Sequence, residues 1–232
     1  MAIVPYLAMT AAELAEKGPL PFPVAWMACH FSPYSTGLSN LPQALPKGSL
    51  LILNDRTPVF GHDPRRIAGQ LEDAVAQLEC AGILLDFQRP GEAQTRAIAA
   101  AAAALPCPVA VTPAYAEGLS CAVFLPPPPL NKPLAAQLQP WQGREVWLEV
   151  ATDRALFRVD KSGCKQIADD DPLPCLHTDE KLHCRYGIAA QEDHIDFYLW
   201  RKKAQLQALM AEAEMLGIRR FVGLYQQLGD WE

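Results

Sequence analysis

Short, fully apolar segments recur along the chain, separated by polar or amphipathic stretches. Apolar runs that have no polar face are typical of parallel strands that are buried on both sides. The predicted strands are residues 24–29, 49–53, 83–85, 109–111, 122–125, 146–150, 184–188 and 221–225. One more apolar run near the start of the chain, at residues 3–7, would give a ninth strand.

The stretches between several of these runs carry the spacing of amphipathic helices. One helix is predicted to begin at Pro64, a residue that the first helical position tolerates, with Asp63 as its N-cap. A second helix is predicted at residues 92–105. A third, longer helix is predicted at residues 194–216, with Gly217 as its C-terminal cap.

The alternation of strands and helices predicts an α/β fold, namely a small TIM-like (β/α)8 barrel in one domain over residues 1–232. Residues 155–167 break the alternation, because two strand-like runs flank Gly163 there. This pattern predicts a β-hairpin inserted into the barrel. The short link between the fourth and fifth strands, together with the extra strand, leaves an open parallel sheet as the fallback.

Composition narrows the class of protein. Hydrophobic residues make up 50% and charged residues 20% of the chain, as is typical of globular proteins. The net charge of −6 and a single basic cluster at residues 201–203 argue against nucleic-acid binding. No apolar run approaches the roughly 18–20 residues of a membrane span. Since the cysteines show no disulfide spacing and the first residues lack a secretory signal pattern, we expect a cytoplasmic protein.

Several common catalytic motifs are absent from the sequence. It contains no G-x-G-x-x-G, no Walker A pattern, no G-x-S-x-G and no H-E-x-x-H. Chemistry that depends on nucleotides, and serine hydrolysis at a nucleophile elbow, are therefore disfavoured. We expect no cofactor, and a small molecule or an oligosaccharide as the partner. The sequence does not indicate an oligomeric state.

Candidate chemistry lies directly after the predicted strands, since barrels of this type carry their sites at the carboxyl ends of the strands. Three carboxylates there are candidate catalytic groups: Asp86, Glu149 and Asp55. The candidate ligand-binding residues, which supply amide, phenol, imidazole and guanidinium groups, are His30, Tyr34, Arg56, Gln88, Tyr115, Tyr225 and Gln227.

Structural roles remain open for several of these residues. Asp55 and Arg56 could form a local ion pair at a turn. His30 could be a satisfied histidine near the core. Glu149 could lie on a solvated strand face, because it alternates with Trp147. A cleft walled by aromatic side chains would favour a sugar ligand, and a cleft without them would count against one.

Residues 81–88, AGILLDFQ, resemble the strand-end motif Asp-Gly-x-Asp-x-Asp-x-Glu of the chitinase-like barrels of glycoside hydrolase family 18. Gly82 and Asp86 match the motif, whereas Ala81 and Leu84 replace two aspartates. Gln88 replaces the glutamate that serves the family as proton donor. Since glutamine cannot donate a proton in this way, the resemblance implies a sugar-binding barrel that lacks the family's catalytic acid.

The end of the chain is also similar to this family. Residues 217–225 resemble the family's last strand, which carries a tryptophan that stacks on the substrate. The resemblance places Tyr225 near that position. It therefore implies that Tyr225 contacts a bound sugar.

Two alternatives to a binding protein remain. The first is an active glycosidase that uses Asp86 with Glu149 or Asp55, since a pair of carboxylates can hydrolyse glycosides. The second is a zinc site, because sulfur and imidazole are zinc ligands. Its candidate ligands are Cys175, His177, His183 and Cys184.

Overall fold

A computed structural model describes residues 4–18, 20–58, 61–89, 92–168 and 177–229. Its strands are β1 (Tyr6–Met9), β2 (Val24–Phe31), β3 (Leu38–Ser39), β4 (Leu50–Asn54), β5 (Gly82–Asp86), β6 (Val109–Val111), β7 (Ala122–Leu125), β8 (Val146–Glu149), β9 (Asp153–Asp160), β10 (Gly163–Ile167), β11 (His177–Asp179), β12 (Cys184–Ala190), β13 (His194–Arg201) and β14 (Arg220–Leu224). The α-helices are α1 (Ala11–Lys17), α2 (Pro64–Gln77), α3 (Ala93–Ala103), α4 (Leu134–Leu138), α5 (Lys203–Met215) and α6 (Tyr225–Leu228). Two short 3-10 helices are Pro113–Tyr115, which follows β6, and Gln139–Trp141, which follows α4.

Eight parallel strands close into a barrel. Their order around the barrel is β1, β2, β4, β5, β6, β7, β8 and β14, and β14 pairs back onto β1. The short strand β3 adds to β2 in the antiparallel sense. Helices lie between most of the barrel strands, so the TIM-like (β/α)8 prediction is confirmed, and the open-sheet fallback is wrong because no gap remains between β1 and β14.

One predicted barrel strand is wrong. Residues 184–188 belong to β12, which lies in a second sheet, and the run at residues 3–7 supplies the missing barrel strand as β1. The physical reason is visible in the pattern of β12, where apolar Tyr186 and Ile188 alternate with Arg185. Such alternation marks a strand with one covered face, not one that is buried on both faces.

The predicted helix at residues 194–216 is also wrong over its first part. Residues His194–Arg201 form β13, and α5 begins only at Lys203. The segment contains the aromatic residues Phe197, Tyr198 and Trp200 and the β-branched Ile195, and such residues favour strands. Pairing with both β9 and β12 satisfies its backbone on both edges.

The second sheet is antiparallel, in the order β10, β9, β13, β12, β11, and it is inserted between β8 and α5. The hairpin predicted over residues 155–167 is its β9–β10 pair, so the hairpin is one part of a larger insertion. Arg201, which is only 1% exposed, ties this sheet to the barrel. Its guanidinium donates to the carbonyls of Leu182, His183 and Pro128, the last of which lies in the loop after β7.

The inside of the barrel is packed with a small set of apolar side chains. Trp147 fills much of it, and its indole donates to Glu145 at the amino-terminal end of the strands. A Cβ at position 82 would lie 3.1 Å from the Trp147 ring and 2.6 Å from the Pro108 carbonyl, so glycine makes room there. The interior residues are Ala8, Ala25, Leu50, Ile52, Leu84, Ala110, Ala122, Phe124, Trp147 and Val222.

Side chains alternate along a strand, so the residue two positions after an interior residue also faces inward. Asn54 follows Ile52, Asp86 follows Leu84 and Glu149 follows Trp147 in this way. These three polar residues therefore form the last inward-facing layer, at the carboxyl ends of the strands. None of the helices in the described ranges is both long and apolar enough to span a membrane.

Candidate active site

An open cavity of about 330 Å³ lies at the carboxyl ends of the barrel strands. Apolar interior side chains form its floor, and polar side chains from the strand ends and the following loops surround it. The lining residues are Ala8, Met27, Ile52, Asn54, Asp55, Arg56, Leu84, Asp86, Gln88, Arg89, Phe124, Glu149, Val222, Gly223 and Leu224.

Asp86 is the last residue of β5 and pairs in register with Asn54 of β4. Burial raises the pKa of Asp86, a hydrogen bond donated by the Gln88 side-chain amide lowers it, and the charge of Asp55 raises it again. The net shift is upward. Because the Gln88 amide bonds the charged form, it favours a carboxylate at this position.

Glu149 ends β8, three strands around the barrel from β5. Burial raises the pKa of Glu149 to about 7, and the negative charge of Asp86 contributes to the rise. Asp86 ionises first, so its charge acts on Glu149, whereas Glu149 is still neutral when Asp86 titrates. Glu149 is therefore placed to exchange a proton near neutral pH, beside the negative charge of Asp86.

Asp55 is buried, with 3% of its surface exposed, and it binds backbone. One carboxylate oxygen accepts from the Gln88 N–H at 3.0 Å and the other accepts from the Arg89 N–H at 2.9 Å. The side chain thus fixes the segment that follows β5 against the end of β4. These two hydrogen bonds hold Gln88 and Arg89 in position at the cavity.

Asn54 stabilises the irregular end of β2. The β2–β4 pairing shifts register between Trp26 and Cys29. The Asn54 amide donates to the carbonyls of Met27 and Cys29 at 3.1 and 3.0 Å, and its oxygen accepts from the Arg56 N–H. Asn54 therefore shapes the cavity wall and orients the chain toward Arg56.

Two arginines complete the polar lining. Arg56 is exposed, whereas Arg89 is half-buried and its guanidinium donates to the Arg56 carbonyl at 2.8 Å. Within the described part of the chain, neither guanidinium forms an ion pair with a carboxylate. Arg89 and Asn54 are not among the ten candidate residues, although Asn54 ends β4 and Arg89 follows β5 closely.

The cavity brings together five of the ten residues selected from the sequence: Asp55, Arg56, Asp86, Gln88 and Glu149. The other five lie outside its lining. They are His30, Tyr34, Tyr115, Tyr225 and Gln227.

Among these five, His30 and two of the tyrosines have identified surroundings. The His30 Nδ1 is 2.8 Å from the Phe31 carbonyl and its Nε2 is 3.0 Å from the Asn40 amide, so these partners favour a proton on Nδ1. Tyr115 is buried, and its hydroxyl donates to the Arg89 carbonyl. Tyr225 begins α6, and the ammonium of Lys17 lies 5.5 Å from the centre of its ring.

The remaining two are on the surface. Tyr34 is 97% exposed in the loop after β2, and Gln227 is exposed on α6. Phe124 is thus the aromatic residue in the lining, and it lies on the floor. The cavity offers hydrogen-bonding groups around its sides and an apolar surface at its base.

The zinc hypothesis can be tested in part, since Cys175 lies outside the described residues. His177 stacks on Tyr186 with ring centres 5.1 Å apart, and His183 bonds the carboxylate of Glu212. Cys184 is buried in the second sheet. Over the ranges that the structure describes, no group of three or more His, Cys, Asp or Glu side chains is placed to hold a metal ion.

No family model matches the sequence, and no curated protein matches it. Among solved structures, the chain is similar to the spore cortex-lytic enzyme SleL of Bacillus cereus, with 11% identity, a TM-score of 0.48 and 86% of this chain covered. The match spans 63% of the SleL chain.

Two further solved structures are similar. One is YdhD of Bacillus subtilis, described as a sporulation-specific glycosylase, with 9% identity, a TM-score of 0.44, and 75% of this chain and 79% of that chain covered. The other is the C-terminal domain of a protein described as a chitinase, from Desulfitobacterium hafniense, with 10% identity, a TM-score of 0.41, and 76% and 72% covered. At these identities and TM-scores the matches assign neither family nor activity, and the strand pairing itself establishes the barrel.

Proposed function

We propose that this protein is a glycoside-hydrolase-like barrel that binds a carbohydrate, or a related polar ligand, in the cavity at the carboxyl ends of its strands. One observation carries the proposal: Asp86 and Glu149 come from strands on different sides of the barrel, line one open cavity and interact electrostatically there. Carboxyl groups and amides around a small apolar floor are suited to hold the hydroxyl groups and the apolar face of a sugar.

The resemblance of residues 81–88 to the family 18 motif supports the same proposal. Asp86 occupies the matching aspartate position, and its partner Gln88 stands where the family has its proton donor. The tyrosines expected to stack on a sugar lie outside the lining, which counts against a stacking wall. Recognition would therefore depend on hydrogen bonds to Asp86, Gln88 and Glu149, with apolar contact confined to the floor at Phe124.

Isothermal titration calorimetry tests this proposal with neutral chito-, cello- and xylo-oligosaccharides on the whole chain. We expect binding by the unaltered protein and a loss of affinity of about tenfold or more in Asp86→Asn and Glu149→Gln, since each loses hydrogen bonds to a charged or acidic group. Glu117→Gln is the control, because Glu117 is exposed and outside the cavity. If neither these neutral saccharides nor an acidic oligosaccharide binds at millimolar concentration, the proposal is wrong.

The raised pKa of Glu149 favours a second candidate function, hydrolysis of a glycosidic bond. A carboxyl group that is half protonated near pH 7 can donate its proton to a leaving oxygen, as Gln88 cannot. In such a reaction Asp86, held as a carboxylate by Gln88, would act as the base or the nucleophile. Both Glu149→Gln and Asp86→Asn should then abolish release of reducing ends from any saccharide that binds. Binding without release in the unaltered protein would exclude this candidate.

A further inference from the structure

The two arginines of the cavity lack the counter-charges that arginines usually find in proteins. The side chain of Arg56 makes no hydrogen bond or ion pair within the described ranges, and Arg89 uses only Nη2, on the Arg56 carbonyl. Three carboxyl groups, those of Asp55, Asp86 and Glu149, line the same cavity, but none of them forms an ion pair with either guanidinium within the described ranges. Most N–H groups of the two guanidiniums are therefore open to an acceptor from outside the protein.

Positive and negative groups occupy separate parts of the cavity. Burial and neighbouring carboxylates raise the pKa values of Asp86 and Glu149, and the Gln88 amide lowers that of Asp86. No arginine contributes to either shift. Arg56 and Arg89 lie on the loops after β4 and β5, beyond the strand-end layer that holds the two acids. A ligand that fills this cavity meets cations at its rim and acids near its floor.

The rim is also held in place before any ligand arrives. Asp55 accepts the Arg89 N–H at 2.9 Å, and the Tyr115 hydroxyl donates to the Arg89 carbonyl. With the guanidinium bond to Arg56, three contacts fix Arg89. Since the whole chain carries a net charge of −6, this basic rim is a local feature and not part of a generally basic surface.

We propose that the ligand of the cavity is an anionic saccharide, whose acidic group lies between Arg56 and Arg89 while its hydroxyl groups reach Asp86 and Glu149. This proposal rests on the proposed function and narrows its ligand. Guanidinium forks bind carboxylates and phosphates with paired hydrogen bonds, which a neutral sugar cannot accept as strongly. The acids on the floor would repel the anionic group and so set the direction in which the sugar enters.

The test compares two forms of one saccharide. Tetragalacturonate and its fully methyl-esterified, neutral form are titrated into the unaltered protein, Arg56→Gln, Arg56→Lys, Arg89→Gln and the control Arg219→Gln. Arg219 directly precedes the first residue of β14, at the opposite end of the barrel. Glucose 6-phosphate and glucose are titrated as a second pair, to distinguish a phosphate from a carboxylate as the acidic group.

We expect the acid to bind about tenfold or more tightly than the ester. Arg56→Gln should remove that preference, Arg56→Lys should keep part of it, and Arg219→Gln should leave it intact. An arginine-dependent preference in the phosphate pair alone would support the anionic ligand and identify its group as phosphate. Equal affinity for charged and neutral forms, with binding retained, would overturn this inference but leave the proposed function standing. If neither the charged nor the neutral forms bind, both this inference and the proposed function fail.

Discussion

The charge of Asp86 raises the pKa of Glu149, although the two residues end strands that lie three apart in the barrel. The closed barrel makes this possible, because both side chains point inward from the same layer. In an open sheet, strands this far apart would not direct their ends into one cavity.

This coupling predicts the effect of removing one charge. In Asp86→Asn, the pKa of Glu149 should fall, because the neighbouring negative charge is gone. It should remain above the ordinary glutamate value, because burial is the larger cause of the shift. NMR titration of the Glu149 side-chain carboxyl measures both effects. Asp73→Asn, which removes an exposed charge on α2, should leave this titration unchanged. An unaltered Glu149 titration in Asp86→Asn would show that the two groups do not interact.

Glu149 also makes stability depend on pH. Its pKa is about 7 in the folded protein and near the ordinary value of 4.5 when unfolded, so between these values the folded state binds more protons. Ionisation of the Glu149 carboxyl group therefore lowers the free energy of unfolding as the pH rises from about 4.5 to 7. Glu149→Gln should abolish this loss, which we expect to be on the order of 2 kcal/mol.

Urea unfolding of the unaltered protein and of Glu149→Gln between pH 5 and pH 8 measures this difference. Other titrating groups are shared by both proteins and largely cancel. The variant should be the more stable of the two at pH 8, with the gap closing toward pH 5. A gap that stays constant with pH would contradict the raised pKa.

Replacing Asp55 tests whether this residue has a structural role or a chemical one. Asp55→Ala leaves the N–H groups of Gln88 and Arg89 without their acceptor, so we expect a loss of about 2–3 kcal/mol in the free energy of unfolding. Asp55→Asn keeps one acceptor oxygen and should lose less. Chemical denaturation measures both. If Asp55→Ala were as stable as the unaltered protein and affected ligand turnover alone, Asp55 would belong to the chemistry.

Gly82 should tolerate no larger residue. In Gly82→Ala the new Cβ meets the Pro108 carbonyl and the Trp147 ring, so we expect a loss of about 1–3 kcal/mol, as in other overpacked cores. Gly69→Ala is a matched control, because nothing lies within 4 Å of its Cβ position. Alanine there, inside α2, should raise stability slightly. Thermal unfolding of both variants provides the measurement, and equal effects would contradict the packing argument.

Arg201 should hold the second sheet to the barrel. Arg201→Lys can replace at most part of the fork that bonds three carbonyls, so at least one buried acceptor loses its partner. Hydrogen exchange should accelerate in β11, β12 and β13, and less so in the barrel strands. Arg219→Lys, at an exposed position, is the control. Uniform acceleration throughout the chain would mean that the sheet and the barrel unfold together.

The barrel could be predicted because its strands are buried on both sides, and continuous apolar runs such as residues 49–53 report that directly. The second sheet could not, since Leu199 in β13 also fits the helical spacing of Leu206 and Leu209 in α5. Only pairing with β9 decides between strand and helix there. Local pattern carries no information on such distant partners.

The positions of the candidate site residues could also be predicted only in part. Residues at or just beyond a strand end, such as Asp86 and Glu149, point where the strand's alternation directs them. Tyr34 and Tyr115 lie farther along the connections, where loop conformation sets their direction. Tyr115 turns inward to the Arg89 carbonyl, and Tyr34 faces solvent. An inward-facing position at a strand end was therefore informative, whereas position after a strand was not by itself, since Tyr225 directly follows β14 and lies outside the lining.

The second sheet leaves the barrel directly after the strand that carries Glu149. Immediately past Glu149, the Val150 N–H donates to the Val222 carbonyl at 2.8 Å, which fastens the chain to β14 before β9 begins at Asp153. This bond holds the backbone next to Glu149 to the barrel wall, so the position of Glu149 does not depend on the start of β9. We expect that the insert can be exchanged for a short linker, provided that Val150 and Val222 remain paired, and that the cavity would keep its shape.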